Sequence, residues 1–139
     1  TRSFSKAYGL AGLRVGYSVC SPLIADFINR VREPFNVNYT AQVAAIAALS
    51  DDKHLNDSVE INTKGYEQLT SGFESLKLNY IPSYANFIAV EFNNAINIYN
   101  DLLKEGVIVR PVEMKGYLRI SIGTSNENDH LLSALKKVL

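Results

Sequence analysis

A single lysine near the front of the chain is surrounded by residues suited to binding a charged small molecule. In the segment SFSKAYGLAGLRVGY, residues 3–17, Lys6 follows two serines, and Arg14 comes eight residues later. A lysine amine can attack a carbonyl carbon once it is partly desolvated or placed near another cation. Arg14 could supply that cation and hold a phosphate with its planar guanidinium. Ser3 and Ser5 offer hydroxyl donors to the same anion.

Three glycines in this segment would let the backbone approach a bulky ligand: Gly9, Gly12 and Gly16. Two other interpretations stay open from the residue pattern. The glycines and Lys6 could form a nucleotide phosphate loop, although the lysine of that motif follows its glycines, and here it precedes them. The segment could also be an ordinary turn and strand with solvated charges. Spacing alone does not decide among the three.

A strand and several helices are predicted in the first half of the chain, and these elements must position the lysine segment. Residues 13–20 predict a short, mostly buried strand. Residues 21–34 predict a helix, since a serine followed by proline suits its start and a second proline its end. The alanine-rich stretch 40–49 predicts a buried helix, and the apolar spacing of 53–76 predicts a long amphipathic one.

Short strands and helices fill the second half of the chain. Strands are predicted at 79–81, 87–92, 107–111 and 117–123, and a helix at 94–105. Thr124 and Glu127 have the spacing of a capping box before a last helix. The fold class is therefore α/β, with a small two-layer unit that carries strands on one side and helices on the other.

Composition excludes several classes of function. Basic and acidic residues number 14 each, and this balance argues against a general nucleic-acid or membrane-surface binder. No apolar run approaches the roughly 20 residues of a membrane span, and no signal-like segment is evident, so a cytoplasmic protein is expected. Cys20 is the only cysteine and is predicted to be a small buried hydrophobe. His54 and His130 lack ligand-like spacing, so no metal is assigned.

The lysine segment resembles the lysine motif of the fold-type I pyridoxal-phosphate aminotransferases. The shared pattern is Ser3-x-Ser5-Lys6-x-x-Gly9-Leu10-x-Gly12-x-Arg14-x-Gly16-Tyr17. Within that family, the variant SKAYGLAGLRVGY is most similar to the histidinol-phosphate aminotransferases. Further blocks follow in the family's order: REPFNVN at 32–38, ANF at 85–87, GVIVRP at 106–111 and YLRISIG at 117–123.

The resemblance implies a domain assignment. Residues 1–52 would be the end of the large α/β domain that binds pyridoxal phosphate, and residues 53–139 the small C-terminal α/β domain. The family's groups around the cofactor ring, an aspartate among them, precede the lysine. The chain therefore resembles the C-terminal portion of a longer enzyme. Without that aspartate the ring is a weaker electron sink, so we expect the 139-residue chain alone to be inactive.

The resemblance also implies roles for individual residues. Lys6 would hold pyridoxal 5'-phosphate as an imine and then move a proton between substrate and cofactor. Arg14, Ser3 and Ser5 would bind the cofactor phosphate. Arg119 matches the family's late arginine for the anionic group of the substrate. Arg110 matches a second arginine that helps bind the substrate phosphate in this subfamily.

The implied reaction is transamination between histidinol phosphate, a phosphorylated amino alcohol, and 2-oxoglutarate or glutamate in L-histidine biosynthesis, by a homodimer. One departure affects the substrate assignment, because the loop between Arg110 and Arg119 is shorter than is usual in the family. Two alternatives stay open. One is a related enzyme with the same cofactor, such as an aromatic amino-acid aminotransferase or a phospho-amino-acid decarboxylase. The other is a non-catalytic folded fragment.

Overall fold

A computed structural model describes all 139 residues of the chain. The chain divides into two compact units. The units are Thr1–Val59 and Glu60–Leu139, and the division falls inside one helix, α3 (Asp52–Ser75). The domain assignment of 1–52 and 53–139 stays a prediction, because it concerns the domains of a family and not contacts within this chain.

The first unit combines a two-stranded ribbon with helices. Strand β1 (Arg2–Ser3) pairs antiparallel with β2 (Gly16–Tyr17), and a short 3-10 turn at Ala11–Leu13 lies between them. Helices α1 (Pro22–Val31) and α2 (Tyr39–Leu49) follow, and the first turns of α3 complete the unit.

Local capping chemistry explains where α1 and α2 begin. The Ser21 hydroxyl accepts a hydrogen bond from the Ile24 N–H at 3.4 Å, and Pro22 occupies the first helical position. The Asn38 side chain accepts one from the Ala41 N–H at 2.8 Å. Both predicted helices are confirmed, but the predicted burial of α2 is wrong, because only Ala41 and Ala45 are buried and Ile46 is 68% exposed.

The strand predicted at residues 13–20 is wrong in extent and in burial. Only Gly16 and Tyr17 pair, because β1 is their single neighbour in the sheet and offers two residues. A side chain at Gly16 would place its Cβ 2.7 Å from the Arg2 carbonyl oxygen, so this pairing requires glycine. Cys20 is exposed, and its predicted burial is also wrong.

The second unit is a sheet packed against helices. Its antiparallel strands stand in the order β3-β4-β6-β5 and are β3 (Tyr80–Ile81), β4 (Phe87–Glu91), β5 (Arg110–Pro111) and β6 (Tyr117–Ser121). Its helices are the rest of α3 together with α4 (Ala95–Lys104) and α5 (Ser125–Val138). None of the chain's helices is both long and apolar enough to cross a bilayer.

Alternation along β4 and β6 separates the two faces of this sheet. One face supplies the hydrophobic core with Ile88, Val90, Leu118 and Ile120, which pack with helix residues such as Phe73. The alternate residues point to the opposite face, away from that core. We call this second surface the outer face; it comprises Phe87, Ala89, Glu91, Arg110, Tyr117, Arg119 and Ser121.

A buried amide joins the turn after β6 to helix α3. Asn128 is 1% exposed, and its Oδ1 accepts a hydrogen bond from the Gly123 N–H at 3.0 Å. Its Nδ2 donates to the Gly123 carbonyl and to Gln68 Oε1, both at 3.1 Å. The side chain thus satisfies partly buried backbone groups that would otherwise lack partners within the chain.

Replacing Asn128 by alanine should destabilise the protein. The substitution leaves the Gly123 N–H and carbonyl without partners, so we expect the free energy of unfolding to fall by about 2–4 kcal/mol. Urea unfolding of the wild type and the variant measures the difference. The exposed Asn126 lies on the same helix, and Asn126→Ala should cost less than about 0.5 kcal/mol. Equal losses in the two variants would contradict this role of the buried amide.

Candidate active site

Residues 4–15, which we call the lysine loop, connect β1 to β2. Lys6 begins a tight turn in which the Gly9 N–H donates to the Lys6 carbonyl at 2.8 Å. Gly9 has φ +71°, in the left-handed region that glycine adopts without strain. The Leu10 N–H then donates to the Phe4 carbonyl at 2.9 Å, which closes the loop behind the turn. Both bonds hold the backbone around Lys6 in one conformation.

Phe4 anchors the lysine loop within its unit. Its side chain is 4% exposed, and its ring centroid lies 4.9 Å from that of Tyr8 and 6.1 Å from that of Tyr17. These distances are typical of packed aromatic pairs. Phe4 was not among the predicted site residues, since its only signal in the sequence is an aromatic residue between two serines.

The ribbon brings both ends of the lysine loop together. The antiparallel register of β1 and β2 continues through a hydrogen bond from the Phe4 N–H to the Val15 carbonyl at 3.2 Å. Ser5 and Arg14 are the next residues in that register, and Lys6 follows Ser5. Residues eight apart in sequence therefore flank the base of the same loop, as a site for one small molecule requires.

The polar side chains of this loop differ in what they contact. The Ser3 hydroxyl accepts a hydrogen bond from the Ser5 N–H at 3.1 Å. Arg14 Nη1 donates to the Ala11 carbonyl at 2.7 Å, and its other donors make no hydrogen bond within the chain. Lys6 is exposed, and no side chain of the chain pairs with its amine. An amine, hydroxyls and a guanidinium are therefore available to a ligand.

Arg14 has an unusual backbone conformation. Its φ of +54° lies in the left-handed region, which costs a residue with a Cβ on the order of 1 kcal/mol. It is one of three non-glycine residues with positive φ in the structure. Such conformations concentrate at functional sites, where the fold holds a side chain in place.

Helix α3 begins beside the lysine loop. A methyl group added at Gly9 would stand 3.7 Å from His54 Nε2, and the His54 N–H donates to Asp51 Oδ1 at 2.9 Å. His54 is exposed on its helix, as predicted, but its proximity to the loop had no signal in the sequence. No group of three or more His, Cys, Asp or Glu side chains is placed to hold a metal ion.

Two arginines stand opposite each other on the outer face of the second unit. Arg110 on β5 pairs in register with Arg119 on β6, and Ala89 on β4 pairs with Arg119 from the other side. Directly opposite residues project to the same face, where like charges are unfavourable. Neither guanidinium forms an ion pair with a carboxylate of the chain, so an anionic ligand would relieve the repulsion.

Arg119 is partly desolvated in this arrangement. Its guanidinium carbon lies 4.6 Å from the centroid of the Phe87 ring, and its Nε is buried without a hydrogen-bond partner. Buried donors in native structures normally have partners, and a carboxylate or phosphate could accept from Nε and a terminal nitrogen together. The loop of residues 112–116 is a short connection between adjacent strands, and this brevity holds Arg110 opposite Arg119.

The chain belongs to the aminotransferase class I and II family, whose model matches residues 1–135. The match therefore covers both compact units of the chain. The mixed α/β architecture predicted from the sequence is confirmed.

Among individual proteins, the chain is similar to histidinol-phosphate aminotransferases. The chain is 54% identical over 142 residues to the histidinol-phosphate aminotransferase of Methylobacillus flagellatus. All of this chain is covered, but it spans only 39% of that relative's length.

Solved structures of histidinol-phosphate aminotransferases share the fold of this chain. The histidinol-phosphate aminotransferase from Sinorhizobium meliloti, determined in complex with pyridoxal-5'-phosphate, superposes with a TM-score of 0.88 at 32% identity. The match covers 98% of this chain and 39% of that one. The histidinol-phosphate aminotransferase from Clostridium acetobutylicum gives a TM-score of 0.89 at 26% identity, covering 97% and 43%.

Proposed function

We propose that the full-length protein is a pyridoxal-phosphate-dependent aminotransferase that transfers an amino group between histidinol phosphate and 2-oxoglutarate. The observation that carries this proposal is 54% identity to a histidinol-phosphate aminotransferase across all of the chain. The lysine loop and the paired arginines support it, because the chain supplies a free amine and two kinds of anion site. This reaction would serve L-histidine biosynthesis, and we propose a cytoplasmic enzyme.

The lysine loop has the donor set that pyridoxal phosphate needs. The Lys6 amine is unpaired and could bond to the cofactor's carbonyl carbon. Arg14 has guanidinium donors to spare for the phosphate, and the hydroxyls of Ser3 and Ser5 can donate to the same anion. Ser3 already accepts from the Ser5 N–H, so its hydroxyl proton is free to point at the phosphate.

Each residue of the chain has a separate task in this proposal. When bound, the cofactor would supply an electron sink for the substrate carbon that exchanges its amino group. Lys6 Nζ would release the cofactor to the incoming substrate amine and then move the proton at that carbon. Arg14 would hold the phosphate, so that the ring keeps its orientation while Lys6 is detached.

The paired arginines suit two substrates of different charge. Arg119 would bind a carboxylate of 2-oxoglutarate or glutamate, since its buried Nε lacks a partner. Arg110 is more exposed and would help hold the phosphate of histidinol phosphate. A site that must accept both substrates in turn has use for two cations on one face.

A panel of amino donors tests this assignment against its alternatives. We expect purified full-length protein to form glutamate from 2-oxoglutarate fastest with histidinol phosphate. Faster turnover with aromatic amino acids would favour an aromatic aminotransferase. Release of carbon dioxide from a phosphorylated amino acid would favour a decarboxylase. A protein that gives no cofactor absorbance on titration with pyridoxal phosphate would be the non-catalytic alternative.

We further propose that the protein is a homodimer. Helix α1 exposes apolar side chains along one stripe, including Leu23, Phe27 and Val31, and α2 exposes Ile46. Exposed apolar side chains grouped along a helix face are typical of interaction surfaces. Sedimentation equilibrium of the full-length protein should give twice the mass of one chain, and a monomer mass at micromolar concentration would contradict the proposal.

Replacing Arg14 by glutamine should weaken cofactor binding. The variant loses a charge-assisted contact to the phosphate, so we expect the dissociation constant for pyridoxal phosphate to rise about 10- to 100-fold. Titration followed by absorbance measures it. Arg30 is an exposed arginine of the same unit that pairs with Asp26, and Arg30→Gln should leave the constant unchanged. Equal affinity in Arg14→Gln and wild type would remove Arg14 from the phosphate site.

A further inference from the structure

Strand register brings Phe87 diagonally beside Arg119 on the outer face. Phe87 pairs with Ser121, two residues along β6 from Arg119, and diagonal neighbours of this kind come within reach of aromatic side chains. Ala89, directly opposite Arg119, has only a methyl group and leaves space across β4. Arg110 lies on the β5 side of Arg119, and its positive charge disfavours an Arg119 side chain that turns toward β5.

The Arg119 guanidinium packs against the ring of Phe87. The Arg119 guanidinium carbon lies 4.6 Å from the Phe87 ring centroid, within the range of a cation–π interaction. Phe87 itself is half-buried, and Arg119 Nε is shielded from solvent without a hydrogen-bond partner. The ring offers no acceptor in the guanidinium plane, so it holds the group while leaving the N–H donors unused.

We propose that Phe87 is a positioning residue, which holds the Arg119 guanidinium flat and partly desolvated so that it can bind a substrate carboxylate. The inference rests on the proposed function, in which Arg119 receives that carboxylate. A guanidinium held in place loses less conformational freedom when the carboxylate binds. Low local solvation also strengthens its attraction for the anion.

Substitutions at Phe87 in the full-length protein test this role. Phe87→Leu keeps an apolar side chain but removes the ring, and we expect KM for 2-oxoglutarate to rise about tenfold with kcat within about threefold of wild type. Phe87→Tyr keeps the ring face and should restore KM. The dissociation constant of succinate, an unreactive dicarboxylate, should rise by the same factor in a calorimetric titration.

A matched control separates positioning from loss of stability. Phe92 comes one residue after β4 and is buried on the core side of the same sheet. Phe92→Leu removes an equal ring volume, so it should lower stability while leaving KM and the succinate constant unchanged. If Phe87→Leu does not fold, pentafluorophenylalanine at position 87 tests the same point, because it keeps the shape and reverses the charge distribution of the ring face.

The outcomes are distinct. Wild-type KM and succinate affinity in Phe87→Leu, or in the fluorinated variant, would overturn the positioning role. An equal KM increase in Phe92→Leu would assign the effect to stability and overturn it as well. Absence of transamination in the wild type would instead refute the proposed function, and succinate binding would still test whether Phe87 sets the affinity of Arg119 for an anion.

Discussion

Replacing Lys6 by alanine will lower kcat for transamination by the full-length protein by at least ~10³-fold. The amine would both attach the cofactor and move the proton at the substrate carbon, so one substitution removes two tasks. The visible absorbance of the cofactor-bound enzyme should change as well, because the cofactor then stays a free aldehyde. Lys6→Arg keeps the charge but forms no such bond, and it should be equally inactive.

Chemical labelling gives an independent measurement. Borohydride should fix the cofactor to the wild-type protein, and peptide mass analysis should locate it on Lys6. Lys53 is an exposed lysine of the same unit in an ion pair with Asp57, and Lys53→Ala should retain full activity and labelling. A label on any other lysine would show that the assignment of Lys6 is wrong.

Replacing Arg119 by leucine should have the second largest effect. We expect kcat/KM for 2-oxoglutarate to fall about 10²- to 10³-fold, since under the proposed role of Arg119 the substrate carboxylate would lose a paired charge and two hydrogen bonds in a partly desolvated position. Arg119→Lys should recover only part of this loss, because an ammonium group cannot bind a carboxylate through two parallel N–H donors. Steady-state kinetics with both substrates provides the measurement.

Arg110 supplies the comparison for this experiment. Arg110→Leu should raise KM for histidinol phosphate more than KM for 2-oxoglutarate, since we assign Arg110 to the phosphate. If the two leucine variants change both substrates alike, the arginines act as one general positive field and not as separate contacts. If Arg119→Leu keeps wild-type kinetics, the outer face does not bind substrate.

Elements governed by neighbouring residues were predictable. The starts of α1 and α2 follow from Ser21 and Asn38, whose side chains bond to backbone groups three residues ahead. The start of α5 follows from Thr124, whose N–H and hydroxyl both donate to Glu127 at 2.8 Å. These hydrogen bonds form within one turn of helix, so their signal is local.

Elements that depend on a distant partner were predicted less well. The apolar run at 13–20 has the composition of a buried strand, but the length of a strand depends on the neighbour with which it pairs. β5 is likewise limited to Arg110 and Pro111, although the apolar run before it is longer. The predicted burial of Cys20 was wrong for the same reason, because a side chain is buried only where another element packs over it.

Residue types and spacing were enough to identify the available chemistry: an amine, two serines and Arg14 within residues 3–14, and two later arginines on predicted strands. Only the folded chain shows that Arg110 stands opposite Arg119, that Phe87 lies against the guanidinium, and that Asn128 reaches back to Gln68. Strand register and buried hydrogen bonds pair residues that lie well beyond one helical turn apart in sequence, so no local pattern encodes which residues meet.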